Sequence, residues 1–393
     1  MAPLLKSQFQ LSDTQLGAIH GPAFATLYAL GLLAAAHTIA GRNPYRVAAV
    51  CVAVWTLGSG LFALAPDYPT MIGGRILLGL GQAGFPVAAL MLLGRQRDSV
   101  RRARSLSVFT TGSSIGRSIA LFLGGAALAA IAGRSVAGLE PWRAATLLLI
   151  LPNVLLAALL WRFGRLRPTA GASEKGQSLG AACRLIMNRR AILMPMMLAG
   201  CGCVLAIHAG AAWGPSYLNR GFGLGASDAA LIAGAIVLIC APIGHLGAGW
   251  TDSSVAGRRI GAGGLIVAGM GLAAVSAAII ATAQGLPMAV LGMAGLTIGG
   301  GFAAATCLIA LQALSPEALR PQIGSIYLAL VSLTGVGLGP LVTGMLSDHL
   351  FSGETGLGRA TAATVILSAV LVFAVAGCFA RRWTRHRQAG GEA

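Results

Sequence analysis

Arg75 and Arg117 stand inside runs of apolar residues, 70–93 and 106–131, rather than beside them. A guanidinium is a permanently charged planar fork that matches a carboxylate or phosphate with two parallel hydrogen bonds. Placed mid-span in a bilayer it costs about 2.5–3.5 kcal/mol unless it meets a partner or water. Each is therefore a candidate anchor for an anionic group. The alternative is a charge satisfied by neighbouring backbone carbonyls. Arg117 lies about eleven residues, or roughly 16 Å, from one end of its run. Gly112, Gly116, Ala120 and Gly124 form a small-residue ridge on the same run, the usual device for close helix contact, and Arg117, about 100° round the helix from it, can point away from that ridge. Gln82 follows Arg75 by two helical turns on one face, with Gly79 between them.

Other polar side chains fall inside apolar runs. His20, His37, His208 and His245 titrate in a range that suits proton relay, or else bond between helices. Tyr28 and Tyr327 are candidates to line a polar path, with interhelical bonding as the alternative. All eleven carboxylates lie in loops, at span ends or in the tail. Two arginines within spans and no carboxylate there favour an anionic partner. The seven cysteines sit almost entirely in apolar runs and read as small packing residues. Cys201 and Cys203, two apart on a helix, point in different directions and make a poor metal pair. Neither a G-x-x-x-x-G-K-[ST] run nor a triad or metal-ligand cluster is present. ATP-driven pumping is thereby excluded, and an enzyme, a metal site or any cofactor is not expected.

These residues need long apolar helices to hold them, and the composition supplies such helices. Of 393 residues, 56% are apolar and only 10% charged, with a mean hydropathy of +0.79. A soluble domain carries about a quarter of its residues charged. The 56 glycines suit closely packed transmembrane helices. The net charge of +17 comes as short arginine clusters between apolar runs, which argues against nucleic acid. A bilayer core takes about 20 apolar residues per helix. By that measure spans fall near 14–39, 46–65, 70–93, 106–131, 143–162, 191–213, 227–250, 260–282, 288–312, 323–347 and 360–380, eleven in all. The expected class is an all-α polytopic membrane protein.

Alternate loops hold twenty-one basic residues on one side and five on the other. The positive-inside rule then places the C-terminus in the cytoplasm and residues 1–13 outside. The expected location is a cell membrane, the inner one in a Gram-negative cell. A polar linker at 164–190 divides the chain into a first bundle, 1–163, with five spans and a second, 191–381, with six, before a tail at 382–393. Spans 46–65, 143–162, 260–282 and 360–380 carry almost no polar residue and are expected to face lipid. Their spacing suggests repeated three-helix units around a cavity.

Several motifs converge on one family. Leu11-Ser12-Asp13-Thr14-Gln15-Leu16-Gly17 resembles the segment leading into the second helix of spinster-like transporters, a branch of the major facilitator superfamily. Trp213-Gly-Pro215-Ser-Tyr217-Leu-Asn-Arg220-Gly-Phe222-Gly resembles the outer end of its seventh. Gly244, Gly247, Gly249, Asp252, Arg258 and Arg259 resemble the superfamily's loop motif between helices 8 and 9. Gly335-Val-Gly-Leu-Gly339-Pro340 followed by Gly344-Met-Leu-Ser-Asp348 resembles helix 11. The resemblance implies a two-bundle fold with about eleven helices, the family's first helix being absent from these residues. It also implies that Arg75, in Arg75-Ile-Leu-Leu-Gly79, belongs to a fourth-helix motif. Gln82 stands where the branch has glutamate, and Ala40 where the first-half loop motif, which includes Arg42, has aspartate.

The resemblance and the residues together predict a secondary transporter. It moves a small organic, anionic or amphipathic solute by alternating access, as a monomer in the lipid bilayer, with a proton or a sodium ion as candidate coupling ion. The expected substrate-binding residues are Arg117, Arg75, Gln82, Tyr28, His20, His208 and Tyr327. The expected gating residues are Asp252, Arg258, Arg259 and Arg42. The rival expectation is a non-transporting relative, degenerate or truncated, acting as a sensor or inactive.

Overall fold

The computed structural model describes residues 2–38, 42–94, 99–131, 138–166, 179–316, 319–351, 353 and 355–390. Among them the chain is helical almost throughout. In order come α1 (Ala2–Phe9), α2 (Asp13–His20), α3 (Pro22–Thr38), α4 (Pro44–Leu64), α5 (Tyr68–Gly94), α6 (Ser99–Ile131) and α7 (Pro141–Leu166). Then follow α8 (Leu179–Asn188), α9 (Arg190–Phe222), α10 (Ala226–Ser253), α11 (Val255–Thr282) and α12 (Leu286–Leu314). The chain closes with α13 (Arg320–Val331), a π-helical segment (Ser332–Leu338), α14 (Gly339–His349) and α15 (Gly356–Gly390). Nine stretches among the described residues are long and apolar enough to cross a membrane, and Ile115–Ile131 is a shorter apolar helix. Among the described residues each of the eleven expected spans falls on one helix, on α2 with α3, or on α13, the π-helical segment and α14.

Local chemistry sets the ends. Ser12 accepts from the Gln15 amide while the Gln15 side chain accepts from the Ser12 amide, a complete capping box that starts α2. Asn43 caps α4 ahead of Pro44, which suits a first helical position because it has no N–H to leave unpaired. Arg143 donates to the carbonyls of Ala63 and Ala65, both at 2.7 Å, and so closes the other end of α4. Two spans are interrupted. Pro22 cannot continue the hydrogen-bond ladder of α2, and Gly21 leaves helical geometry at φ −103°, ψ −99°. The tenth span loosens into the π-helical segment before Pro340 restarts it.

α4 packs on α5 and α7, and α3 on α5; α9 packs on α15 and α12, and α11 on α12. The two groups meet along α6 with α10, α2 with α14, and α3 with the π-helical segment. At the last of these the backbones almost touch. A Cβ added at Gly21 would lie 2.1 Å from the Gly337 carbonyl oxygen, so only glycine fits there. Large exposed apolar side chains form rows on α4, α7, α11 and α15, the four spans expected to face lipid; Leu57, Leu151, Val275 and Leu367 are examples.

Three sequence expectations change. Residues 2–9 form a helix that packs on α9 and α2, and part of the linker folds as α8 against α13 and α9. The small-residue ridge of α6 is not a packed seam at Gly112 and Gly116, since a Cβ at either would meet nothing. The contact runs instead through Gly125, whose carbonyl accepts from Ser227 of α10 at 2.9 Å. α6 thus leans on the second group and is only lightly held by α5 and α7.

Candidate functional site

The break at Gly21 explains the position of Arg75. A carbonyl three residues before a restarted helix loses its usual donor. Arg75 Nε donates to the Ile19 carbonyl oxygen at 3.0 Å. Its guanidinium also sits 5.8 Å from the ring centroids of Phe24 and Phe62. Phe24 stacks on Tyr28 at 5.1 Å. His20 lies at the same break with a buried Nε2 that has no hydrogen-bond partner. Gly79 lets α5 approach here, since a Cβ there would lie 2.3 Å from the Phe24 carbonyl oxygen. Arg75, His20 and Tyr28 therefore form one cluster between α3 and α5. Gln82, half-buried on α5, lies two turns further along.

Arg117 belongs to a different place. Its side chain on α6 is exposed, and its charge reaches His208 on α9. His208 holds its Nδ1 3.0 Å from the Val204 carbonyl oxygen, which fixes the ring and leaves Nε2 for another partner. The two residues stand on helices of different groups. A guanidinium whose charge is felt by an imidazole across the groups is suited to an anion. His245 is exposed on α10 with Nδ1 2.8 Å from the Ala241 carbonyl oxygen. The side chain of His37 lies outside the described residues. Tyr327 is only 3% exposed, and its hydroxyl packs on α9, where a Cβ at Gly200 would lie 2.3 Å away. It belongs to the same buried interior as Cys203 and Cys307.

The strongest polar assembly lies at the end where α2 begins. Asp13, 3% exposed, accepts from both terminal nitrogens of Arg220 at 2.7 Å. Lys6 pairs with the same carboxylate, and Ser347 Oγ donates to it at 2.7 Å. A carboxylate this deeply buried is tolerable only with such full pairing. Asp348 completes the arrangement. It accepts from the Asp13 amide at 3.0 Å, the Thr14 amide at 2.6 Å and Thr14 Oγ1 at 2.7 Å. The first amides of a helix have no partner within it and carry partial positive charge. Here a residue of α14 caps α2 from the other group. Trp213 Nε1 adds a bond to the Pro340 carbonyl oxygen at 3.0 Å. Beside this latch lies an open groove of about 440 Å³, lined by residues that include Lys6, Gln10, Asn219 and Arg220.

The residues expected to gate lie at the opposite end of the helices. Arg42 and Arg259 are exposed there, and the side chains of Asp252 and Arg258 lie outside the described residues. Sequence reasoning did not assign the latch, although Asp13, Arg220 and Asp348 each stand in a motif quoted above. The usable signal was that Arg220 is one of few basic residues on the side that also holds Asp13 and Asp348. No group of His, Cys, Asp and Glu side chains among the described residues could hold a metal ion.

Comparison with known proteins agrees with this architecture. Residues 1–264 match the family described as Major Facilitator Superfamily. An MFS-type efflux pump of Mycolicibacterium smegmatis is 26% identical over 396 residues, covering 99% of this chain and 88% of the pump. A bacterial homolog of the human lysosomal transporter Spinster, in an inward-facing and unoccupied conformation, superposes with a TM-score of 0.81. That match has 21% identity and covers 97% of this chain and 92% of the homolog. A D-xylose–proton symporter superposes with a TM-score of 0.65 at 17% identity, covering 95% of this chain and 91% of the symporter. With a family match over well beyond half its length, the chain belongs to the major facilitator superfamily.

Proposed function

We propose that this protein is a secondary transporter that carries a small anionic or amphipathic organic solute by alternating access. Its halves, 1–163 and 191–381, would rock about the α2–α14 and α6–α10 contacts. One observation carries the reading: the charge of Arg117, from one half, acts on the His208 imidazole of the other half, and no carboxylate of the spans is there to neutralise it. An anion bridging them would link the halves, which is what coupling solute binding to rocking requires. The Asp13–Arg220–Asp348 latch supports an inward-facing state with the outer end shut, as does the likeness to an inward-facing neighbour.

The orientation follows the basic residues, with the C-terminus in the cytoplasm and the latch outside. A coupling proton has no carboxylate within the spans to ride on, which leaves the histidines, or else a sodium ion, as carriers. The test is flux in proteoliposomes across a panel of organic carboxylates and phosphate esters. Arg117→Ala is expected to abolish uptake of the anionic solute without lowering the yield of folded protein. Arg117→Lys is expected to restore part of it, since the fork is lost. Unchanged transport by both variants removes Arg117 from the site. Absence of flux in the parent chain for every solute favours a non-transporting relative.

A further inference from the structure

At the end of the molecule opposite the latch, the start of α4 and the finish of α7 are locked together. Asn43 accepts from the Tyr45 and Arg46 amides at 3.0 and 3.4 Å and donates Nδ2 to the Gly164 carbonyl oxygen at 3.0 Å. Gly164 lets the two helices close up here, since a Cβ there would lie 2.7 Å from Arg46 Cγ and force the Arg46 side chain to shift. This junction gathers four exposed arginines, Arg42 and Arg46 from one side and Arg162 and Arg165 from the other. Among the described residues none of them pairs with a carboxylate. Arg46 lies over the Trp161 ring at 5.8 Å, and Tyr45 contacts Phe163 at 6.5 Å between centroids. Trp161, Phe163 and Leu166 are nonetheless 42%, 48% and 67% exposed.

Directly below the arginines, α7 exposes Leu148, Leu151, Leu155 and Leu159 in one helical row, and α4 exposes Val50 and Leu57 beside it. Fixed cations, then interfacial aromatic rings, then a long apolar face is the profile of one phospholipid in a leaflet. We propose that the α4–α7 junction is a binding site for an anionic phospholipid. The headgroup phosphate takes the guanidinium forks of Arg46 and Arg162, and one acyl chain lies along the leucine row of α7. The inference needs only that the chain spans a bilayer, and it stands or falls separately from transport.

The test is lipid retention by the full-length detergent-purified protein, read by native mass spectrometry and by thermal unfolding. The probes are phosphatidylglycerol, phosphatidylcholine and inorganic phosphate. The parent chain is expected to retain phosphatidylglycerol over phosphatidylcholine and to be stabilised by it, with no effect of inorganic phosphate. Arg46→Gln and Arg162→Gln are each expected to lower phosphatidylglycerol retention about fivefold, the equivalent of roughly 1 kcal/mol per arginine. Trp161→Leu should lower it as well. Arg189→Gln, which removes an exposed arginine elsewhere on the same side, should leave it unchanged. Equal retention of the two lipids, full retention by the Arg46→Gln/Arg162→Gln pair, or an equal loss in Arg189→Gln would each overturn the site. Stabilisation by inorganic phosphate matching that by lipid would overturn it in favour of a plain anion site. Retention is measured without flux, so an inactive transporter leaves the result readable.

Discussion

Gly21 and Gly337 meet backbone to backbone across the two halves, yet the contact is not symmetric. A Cβ at Gly21 would lie 2.1 Å from the Gly337 carbonyl oxygen, whereas a Cβ at Gly337 would meet the Ala25 Cβ at 3.2 Å. The first is impossible without moving a helix, and the second asks a neighbour to give by a few tenths of an ångström. Both residues mark a break in their own span, so α2 and α14 each leave the rest of their span at this contact.

Gly21→Ala is therefore expected to prop the latch end open, and Gly337→Ala to leave it closed. Spin labels on Gln10 and Leu350, on a background lacking the native cysteines, report the separation of α2 and α14. A longer distance in Gly21→Ala alone is the expected pattern. The same distances in both variants as in the parent chain would show that the contact does not limit closure.

The latch makes a second prediction. Hydrogen bonds to charged groups contribute about 1.5–3 kcal/mol each, so losing the Asp13–Arg220 fork should shift the balance of states by tenfold or more. Asp13→Asn and Arg220→Ala are expected to populate the open latch end in the same spin-label measurement. Exchanging the two charges, Asp13→Arg with Arg220→Asp, is expected to recover part of the closed population. If neither single variant changes the distances, the fork is incidental to the state.

Arg75 makes a third. Its bond to the Ile19 carbonyl oxygen, together with two flanking rings, assigns it to bracing the break in α2–α3. Leaving that buried acceptor unpaired costs about 1–3 kcal/mol. Arg75→Ala is expected to lower the melting temperature in detergent, and Arg75→Lys to lower it less. A variant that melts like the parent chain but binds solute poorly would return Arg75 to the substrate site.

His208 makes a fourth. A carboxylate at that position would fall within the field of Arg117 and compete with an anionic solute for its charge. His208→Asp should raise KM for an anionic solute at least about tenfold, corresponding to roughly 1.4 kcal/mol. His208→Asn, neutral and similar in reach, should leave KM near that of the parent chain. Equal KM values for the two variants would show that the Arg117 charge takes no part in binding.

By itself the sequence determined an all-α membrane protein of about eleven rods and the four that expose apolar rows, because both depend on composition over a single helix length. It also determined Arg117 as a charge set among apolar neighbours, a cost that any bilayer imposes locally. It could nominate Arg75, but the acceptor for Arg75 exists only because α2 breaks at Gly21 and α5 passes beside the break. Tyr327 read as a path-lining residue from its span, and the packing of α13 on α9 at Gly200 turned its hydroxyl inward. The latch was least legible of all. Asp13 lies 207 residues from Arg220, and its amide lies 335 from Asp348. Those pairings form only where two separately folded groups of helices are pressed together at one end. Periodicity reports which residues share a helix face, and burial between distant faces decides which of those faces meet.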